Sequence, residues 1–225
     1  MNAKEIIEIL KSKANAKNVE GMARFGINKN GTLGVAIPDL RKLAKNIGKD
    51  HKLAGKLWRS KIHEAKILAS YIEIPELVTE GQFEKWVKDF DSWDVCDQVC
   101  SSVLDKTKFA YKKIFELSKR EKEFVKRTAF TLMACSAVHD KHAKDSMFVK
   151  FFPIIKREAS DERNYVKKAV NWALRQIGKR NYVLNGKAIK AAKEIRKINS
   201  KSARWIASNA LTELKSEAVQ KKVKI

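Results

Sequence analysis

The sequence repeats itself weakly at a long period, and this echo limits the folds that the chain can adopt. The segment FVKRT at 124–128 resembles YVKKA at 165–169, and the two segments start 41 residues apart. A weaker echo, SARWIA, occupies 202–207. A period of about 40 residues is typical of proteins that stack pairs of helices. Chance similarity between Lys-rich helices is the alternative.

Apolar residues recur at helical spacing along most of the chain, and alternating strand patterns are nearly absent. The segment 20–36 is the most loop-like because it holds four glycines. We therefore predict an all-α, HEAT-like helical-repeat solenoid (an αα-superhelix) with a concave basic face, folded as one domain over 1–225. The predicted helices are 2–14, 37–49, 51–59, 61–73, 81–91, 93–104, 107–118, 121–137, 145–157, 161–178, 186–197 and 200–214.

The chain carries a formal net charge of +22. This charge predicts attraction to polyanions such as nucleic acids, with a steep dependence on salt. A solvated, Lys-rich surface without a polyanionic partner is the alternative. An odd number of cysteines (Cys96, Cys100 and Cys135), with no signal peptide or bilayer-spanning apolar run, predicts an intracellular, cytoplasmic protein without a membrane partner. We expect these cysteines to pack rather than to bind metal.

The predicted helix 161–178 has two contrasting faces. An apolar stripe faces one way, whereas Lys168, Trp172 and Arg175 fall within a narrow arc on the other side, followed by Lys179. An aromatic ring between cations suits a sugar–phosphate backbone or a base. Packing of Trp172 on a neighbouring helix is the alternative. On the predicted helix 121–137, Arg127 occupies the repeat position of Lys168, so it either lines the same surface or forms a structural ion pair.

The predicted helix that follows Ser92 places Trp93 and Asp97 one turn apart at the edge of its apolar stripe. A carboxylate beside an indole is unusual in so basic a chain, although an ion pair with a nearby Lys or Arg is the commoner arrangement. Asp94, in the first turn, is expected to stabilise the helix N-terminus.

Other patterns of catalytic or metal-binding residues are weak. His139 and His142 lie near two aspartates, but the spacing does not match a four-ligand zinc site. The chain has no Gly-rich phosphate loop and no GxSxG motif. We therefore expect neither a metal nor a cofactor.

Taken in order, Trp93-x-x-x-Asp97, VKRTA at 125–129 and VKKAVNWALR at 166–175 resemble the AlkD-like alkylpurine DNA glycosylases of the DNA alkylation repair family, which are HEAT-like repeat proteins. The resemblance runs from about Met22 to the final helix. It implies excision of cationic N3- or N7-alkylated purines from duplex DNA while the damaged base stays in the stack. It also implies that Asp97 is the catalytic carboxylate, that Trp93 and Trp172 lie against the lesion-bearing backbone, and that Arg127 contacts DNA near the lesion.

Lys168 and Arg175 would then grip phosphates, and the protein would act as a monomer. Members of the family carry a lesion-facing helix with an Ala-Arg-Tyr sequence near the N-terminus. Here Phe25 replaces the tyrosine and Gly26 follows it at once, so this helix is expected to be missing or shortened. Two other functions therefore stay open, a non-catalytic DNA-structure-binding protein and a protein-binding scaffold.

Overall fold

The computed structural model describes residues 1–223, most of which are helical. The chain divides into two compact units, one spanning Met1–Ala110 and the other beginning at Tyr111. The described residues contain no strand. Within the same range, no helix is both long enough and apolar enough to cross a membrane.

The first unit contains seven helices. Asparagine, aspartate or threonine side chains cap four of them, each accepting a hydrogen bond from a backbone N–H of the first turn. Helix α5 is the most buried, since it packs against α3, α4 and α7. The helices are α1 (Ala3–Ser12), α2 (Ala16–Arg24), α3 (Ile37–Ile47), α4 (His51–Arg59), α5 (His63–Ile72), α6 (Glu80–Lys88) and α7 (Trp93–Ser102).

The second unit is built around α9 and α12. Its helices are α8 (Ala110–Leu117), α9 (Glu123–His139), α10 (Asp145–Val149), α11 (Phe151–Arg157), α12 (Asn164–Gly178), α13 (Tyr182–Ile195), α14 (Lys201–Leu214) and α15 (Glu217–Val223).

Equivalent positions of the sequence echo meet in space. The rings of Phe124 and Tyr165, which begin the two echo segments, stack with centroids 5.5 Å apart. Every residue from Val125 to Ala137 is buried, so α9 is covered on several sides. The predicted apolar stripe of α12 is confirmed: Val166, Ala169, Val170, Ala173 and Ile177 are fully buried.

The largest differences from the predicted helices occur at four places. Helices α2 and α15 were missed, and α13 begins at Tyr182 rather than 186. The predicted helix 145–157 is divided at Lys150 into α10 and α11. Pro153 accounts for that division, because it has no N–H to donate and its ring crowds the carbonyl one turn earlier.

Candidate functional site

The candidate carboxylate lies on α7. Trp93 is the first residue of this helix and Asp97 lies one turn further on. Both side chains are partly exposed, whereas Val95, Cys96, Val99 and Cys100 are buried on the opposite side. The predicted placement of Trp93 and Asp97 at the edge of the apolar stripe is therefore confirmed.

Asp94, on the same helix, is held by its neighbours. Its Oδ2 lies 2.8 Å from Nε2 of the buried His63, and its Oδ1 accepts hydrogen bonds from the Ser92 hydroxyl and from the Val95 N–H. Burial would raise the pKa of Asp94, but the hydrogen bond and charge of His63, with those from Ser92 and Val95, hold it below its usual value. Burial would lower the pKa of His63, yet Asp94 holds it above its usual value. Asp94 therefore has the structural role that the sequence predicted.

A cavity of about 700 Å³ opens beside Trp93. Its lining is mainly apolar and includes Met22, Phe25 and Ile67, while Lys17 and Asn18 also line it. Phe25 is 71% exposed, the highest fraction among the large apolar side chains of the described chain. The indole Nε1 of Trp93 donates a hydrogen bond of 3.0 Å to the Phe25 carbonyl. The end of α2 and the start of α7 are thereby held together.

The segment after α2 is irregular but firmly anchored. Glu64 is only 1% exposed, and its carboxylate accepts hydrogen bonds from the Leu33 and Gly34 N–H groups. The Gly34 carbonyl in turn accepts a hydrogen bond of 2.9 Å from the Asn18 side chain on α2. Gly34 has φ of 78°, and a Cβ there would lie 2.3 Å from the Asn15 carbonyl oxygen. Only glycine fits this approach without a shift of the backbone.

These contacts correct the expectation for the N-terminal region. The prediction that 20–36 is loop-like is wrong for 20–24, which form the last turns of α2, and right from Phe25 onward. A helix is therefore present over Ala16–Arg24, where the sequence led us to expect a missing or shortened one, and it ends immediately before Phe25 and Gly26.

The cationic face of α12 is more neutral than the sequence indicated. Lys168 is exposed and Trp172 is partly exposed. Arg175 forms an ion pair with Glu213 of α14, and Lys179 Nζ lies 2.6 Å from the same carboxylate. Burial would raise the pKa of Glu213, but the hydrogen bonds and charges of Lys179 and Arg175 hold it below its usual value.

Arg127 is buried, with only 5% of its surface exposed. One of its guanidinium nitrogens donates a hydrogen bond of 2.5 Å to the Tyr165 carbonyl at the start of α12. Burial of this kind fits a structural role, the alternative that the sequence left open, better than a place on an exposed surface. This hydrogen bond goes to a backbone carbonyl and joins α9 to the start of α12.

Sequence reasoning missed the cavity residues that α2 supplies, Lys17, Asn18 and Met22. The signal was present in Asn15, which caps α2, and in the helical spacing of Val19, Met22 and Ala23. The partnership of His63 with Asp94 had no local signal, because the two residues are 31 positions apart. Among residues 1–223, no cluster of three or more potential metal-binding side chains occurs.

The helix order and packing define a HEAT-like helical-repeat protein. A solved structure shares this fold, with a TM-score of 0.83 and 19% sequence identity over 99% of this chain and 96% of that chain. It comes from "a new family of proteins related to the HEAT-like repeat DNA glycosylases with affinity for branched DNA structures". The predicted all-α, HEAT-like fold is therefore confirmed, and the concave basic face stays a prediction.

Residues 6–214 match the model of a family described as DNA alkylation repair enzyme. The chain therefore belongs to the DNA alkylation repair enzyme family, as its resemblance predicted. No curated protein sequence matches this chain.

Proposed function

We propose that this protein excises cationic N3- or N7-alkylated purines from duplex DNA by hydrolysing the N-glycosidic bond, without a cofactor. The observation that supports this most strongly is the placement of two side chains on α7. Trp93 lines an open cavity that also includes the end of α2, and Asp97 follows one turn later, partly exposed. Family membership supports an enzyme of DNA alkylation repair.

The chemistry suits so simple a site. As the N-glycosidic bond breaks, its electron pair moves to the purine and neutralises the positive charge of the alkylated ring, so no strong general acid is needed. Positive charge develops on the deoxyribose, where water then adds at the anomeric carbon and loses a proton. A carboxylate about 4 Å away stabilises that charge by about 4 kcal/mol at an effective dielectric constant of about 20. This corresponds to about a thousandfold in rate.

The other predicted site residues divide into two groups. We propose that Trp93 on α7, and Trp172 and Lys168 on α12, contact the sugar–phosphate backbone, and that Phe25 contacts DNA at the lesion. Arg127 and Arg175 hold Tyr165 and Glu213 respectively. In this proposal they position α12 rather than grip phosphates.

Release of methylated purines from alkylated duplex DNA tests the assignment directly. Asp97→Asn is expected to reduce the rate of release by about a thousandfold, because it removes the charge that stabilises the oxocarbenium ion. DNA binding should remain, since the substitution removes a negative charge and keeps the shape of the side chain. The control is Asp91→Asn, which removes the same charge from an exposed residue just before α7, where the carboxylate lies 3.5 Å from Lys66 Nζ.

Release that is normal in Asp91→Asn and lost in Asp97→Asn supports the proposed carboxylate. Equal release by wild type and Asp97→Asn would rule out Asp97 as the catalytic residue.

A non-catalytic, branched-DNA-binding function is the second candidate. The observation in its favour is the solved structure with the same fold, whose family is described as having affinity for branched DNA. In this case wild type would bind a four-way junction more tightly than a linear duplex of equal length and would release no methylated purine. Release of any alkylated base by wild type would exclude it.

A further inference from the structure

A second groove lies between α4 and α6 in the first unit and has a volume of about 490 Å³. It shares no lining residue with the cavity beside Trp93. Three exposed cations of α4 line it, namely Lys52, Lys56 and Arg59, and α6 supplies a fourth, Lys85. None of the described residues that line the groove carries a carboxylate.

The four cations of this groove form no ion pair with a described carboxylate. In the part of the chain that the structure describes, no hydrogen bond or ion pair holds the side chains of Lys52, Lys56, Arg59 and Lys85. The nearby Glu73 is fully buried, and both its oxygens are occupied: His51 Nδ1 and the Gln82 side-chain amide each lie 2.6 Å from one of them. By contrast, the cations Arg175 and Lys179 of α12 share the carboxylate of Glu213.

The aromatic residues of the groove do not offer a surface to a base. Trp58 and Trp86 stack on each other with centroids 4.1 Å apart and planes within 4°, and they are only 3% and 2% exposed. The indole N–H of Trp58 donates to Asp89 Oδ2 at 2.9 Å. A nucleobase that stacks on a protein needs an open aromatic face, and these rings have none. The groove can therefore attract phosphates through its charge, but it offers no aromatic surface on which a base could stack.

The cations are arranged along a line rather than around a point. Lys52, Lys56 and Arg59 occupy positions i, i+4 and i+7 of α4, so the stripe extends about 10 Å along the helix axis. A stripe of this length is longer than a single phosphate group requires. Gly55 lies within it, and a Cβ there would meet only the Arg59 guanidinium, at 3.7 Å. The lack of a side chain at this position lets a backbone approach α4 closely.

We propose that the α4–α6 groove is a second nucleic-acid site, which binds a stretch of phosphodiester backbone without regard to sequence. The inference rests on the DNA-binding part of the proposed function. The groove would hold DNA outside the stretch that is in contact with α7, such as a second arm of a branched substrate. Binding would be electrostatic, and it would release counterions as each phosphate is neutralised.

The test compares two triple variants that lower the net charge equally. The groove variant is Lys52→Gln, Lys56→Gln, Arg59→Gln. The control variant is Lys187→Gln, Lys190→Gln, Lys193→Gln, three exposed cations on α13. Equilibrium binding of each variant to a labelled four-way junction, and to a linear duplex of the same total length, is measured over a range of salt concentrations. Each phosphate contact contributes about 0.9 to the slope of log K against log salt concentration.

The groove variant is expected to lower that slope by about 2–3 for the junction, while the control variant leaves it close to wild type. Release of methylated purines by the groove variant should match wild type at saturating DNA. Equal slopes for the two variants, or no DNA binding by wild type at low salt, would overturn the inference. If wild type releases no methylated purine but the groove variant still lowers the slope, the glycosylase is rejected and the groove is retained.

Discussion

At the scale of single residues, α7 gives two carboxylates different roles. Asp94 is tied to His63, Ser92 and the Val95 N–H, and these partners fix its charge and its orientation. Asp97 lies one turn further along and is partly exposed. Asp94 therefore fixes the start of α7, and α7 carries Asp97, the proposed catalytic carboxylate.

The contact between His63 and Asp94 predicts a pH-dependent stability. The pKa of His63 is raised above 6.5, so its contribution is fully present below pH 6.5 and is lost as the pH rises through the raised value. The pKa of Asp94 is lowered below 3.8, so its contribution is present above pH 3.8 and is lost as the pH falls through the lowered value. The contact between His63 and Asp94 should therefore stabilise the fold most between pH 3.8 and pH 6.5.

Replacing His63 by glutamine is expected to lower the free energy of unfolding by about 3 kcal/mol near pH 6, because it leaves a buried carboxylate without its charged partner. The difference from wild type should shrink toward pH 9 as His63 loses its charge. Urea unfolding of both proteins at several pH values measures this difference in the free energy of unfolding. His142→Gln, at an exposed position, is the control. A difference that does not vary with pH would contradict the assigned ion pair.

At the scale of elements, hydrogen bonds to the backbone of residues 33–34 hold α2 in place, and not a buried apolar face. No residue of α2 is fully buried. The helix is held through Asn15, whose N–H donates to the Leu33 carbonyl at 2.7 Å, and through Asn18, which donates to the Gly34 carbonyl. The side of the cavity that α2 forms therefore depends on the conformation of 33–34.

Gly34→Ala is expected to lower the free energy of unfolding by about 1–3 kcal/mol, because alanine resists a positive φ and its Cβ would clash with the Asn15 carbonyl. Gly21→Ala is the matched control within α2: nothing lies within 4 Å of its added Cβ. Alanine should stabilise the helix there by about 0.5–1 kcal/mol. Urea unfolding, with amide exchange across α2, measures both effects. Equal stability of the two variants would show that the contact with Asn15 is unimportant.

At the scale of the whole molecule, side chains connect successive repeats at regular sequence separations. In the first unit, hydrogen bonds join Trp58 to Asp89 and His63 to Asp94, each 31 positions apart. In the second unit several such hydrogen bonds span 38 positions, as between Arg127 and the Tyr165 carbonyl and between Asn171 and Asn209. Repeats of this kind derive their stability largely from contacts between neighbours.

The sequence predicts a single domain, and cooperativity of unfolding tests that prediction. Trp58, Trp86 and Trp93 report on the first unit, and Trp172 and Trp205 on the second. A variant with Trp172→Phe and Trp205→Phe retains only the first set. Its fluorescence transition in urea should coincide with the loss of helix measured by circular dichroism, as expected for two-state unfolding. Two separate transitions would show that the units unfold independently.

Several features were determined by the sequence alone. Apolar spacing predicted the buried face of α12 and the edge position of Trp93 and Asp97 on α7, because the period of a helix fixes which side chains share a face. The echo between 124–128 and 165–169 predicted stacked helical repeats, and the rings of Phe124 and Tyr165 do stack. These are consequences of local periodicity.

Only the tertiary structure decided which charged groups are available to a ligand. Arg127 and Lys168 are equivalent in the sequence echo, yet one is buried against the Tyr165 carbonyl and the other is exposed. The four cations between α4 and α6, which form no ion pair with a described residue, had no distinguishing pattern in so basic a chain. Some charge pairs, such as His63 with Asp94 and Arg175 with Glu213, join residues that are more than 30 positions apart, and the packing of neighbouring helices brings these together.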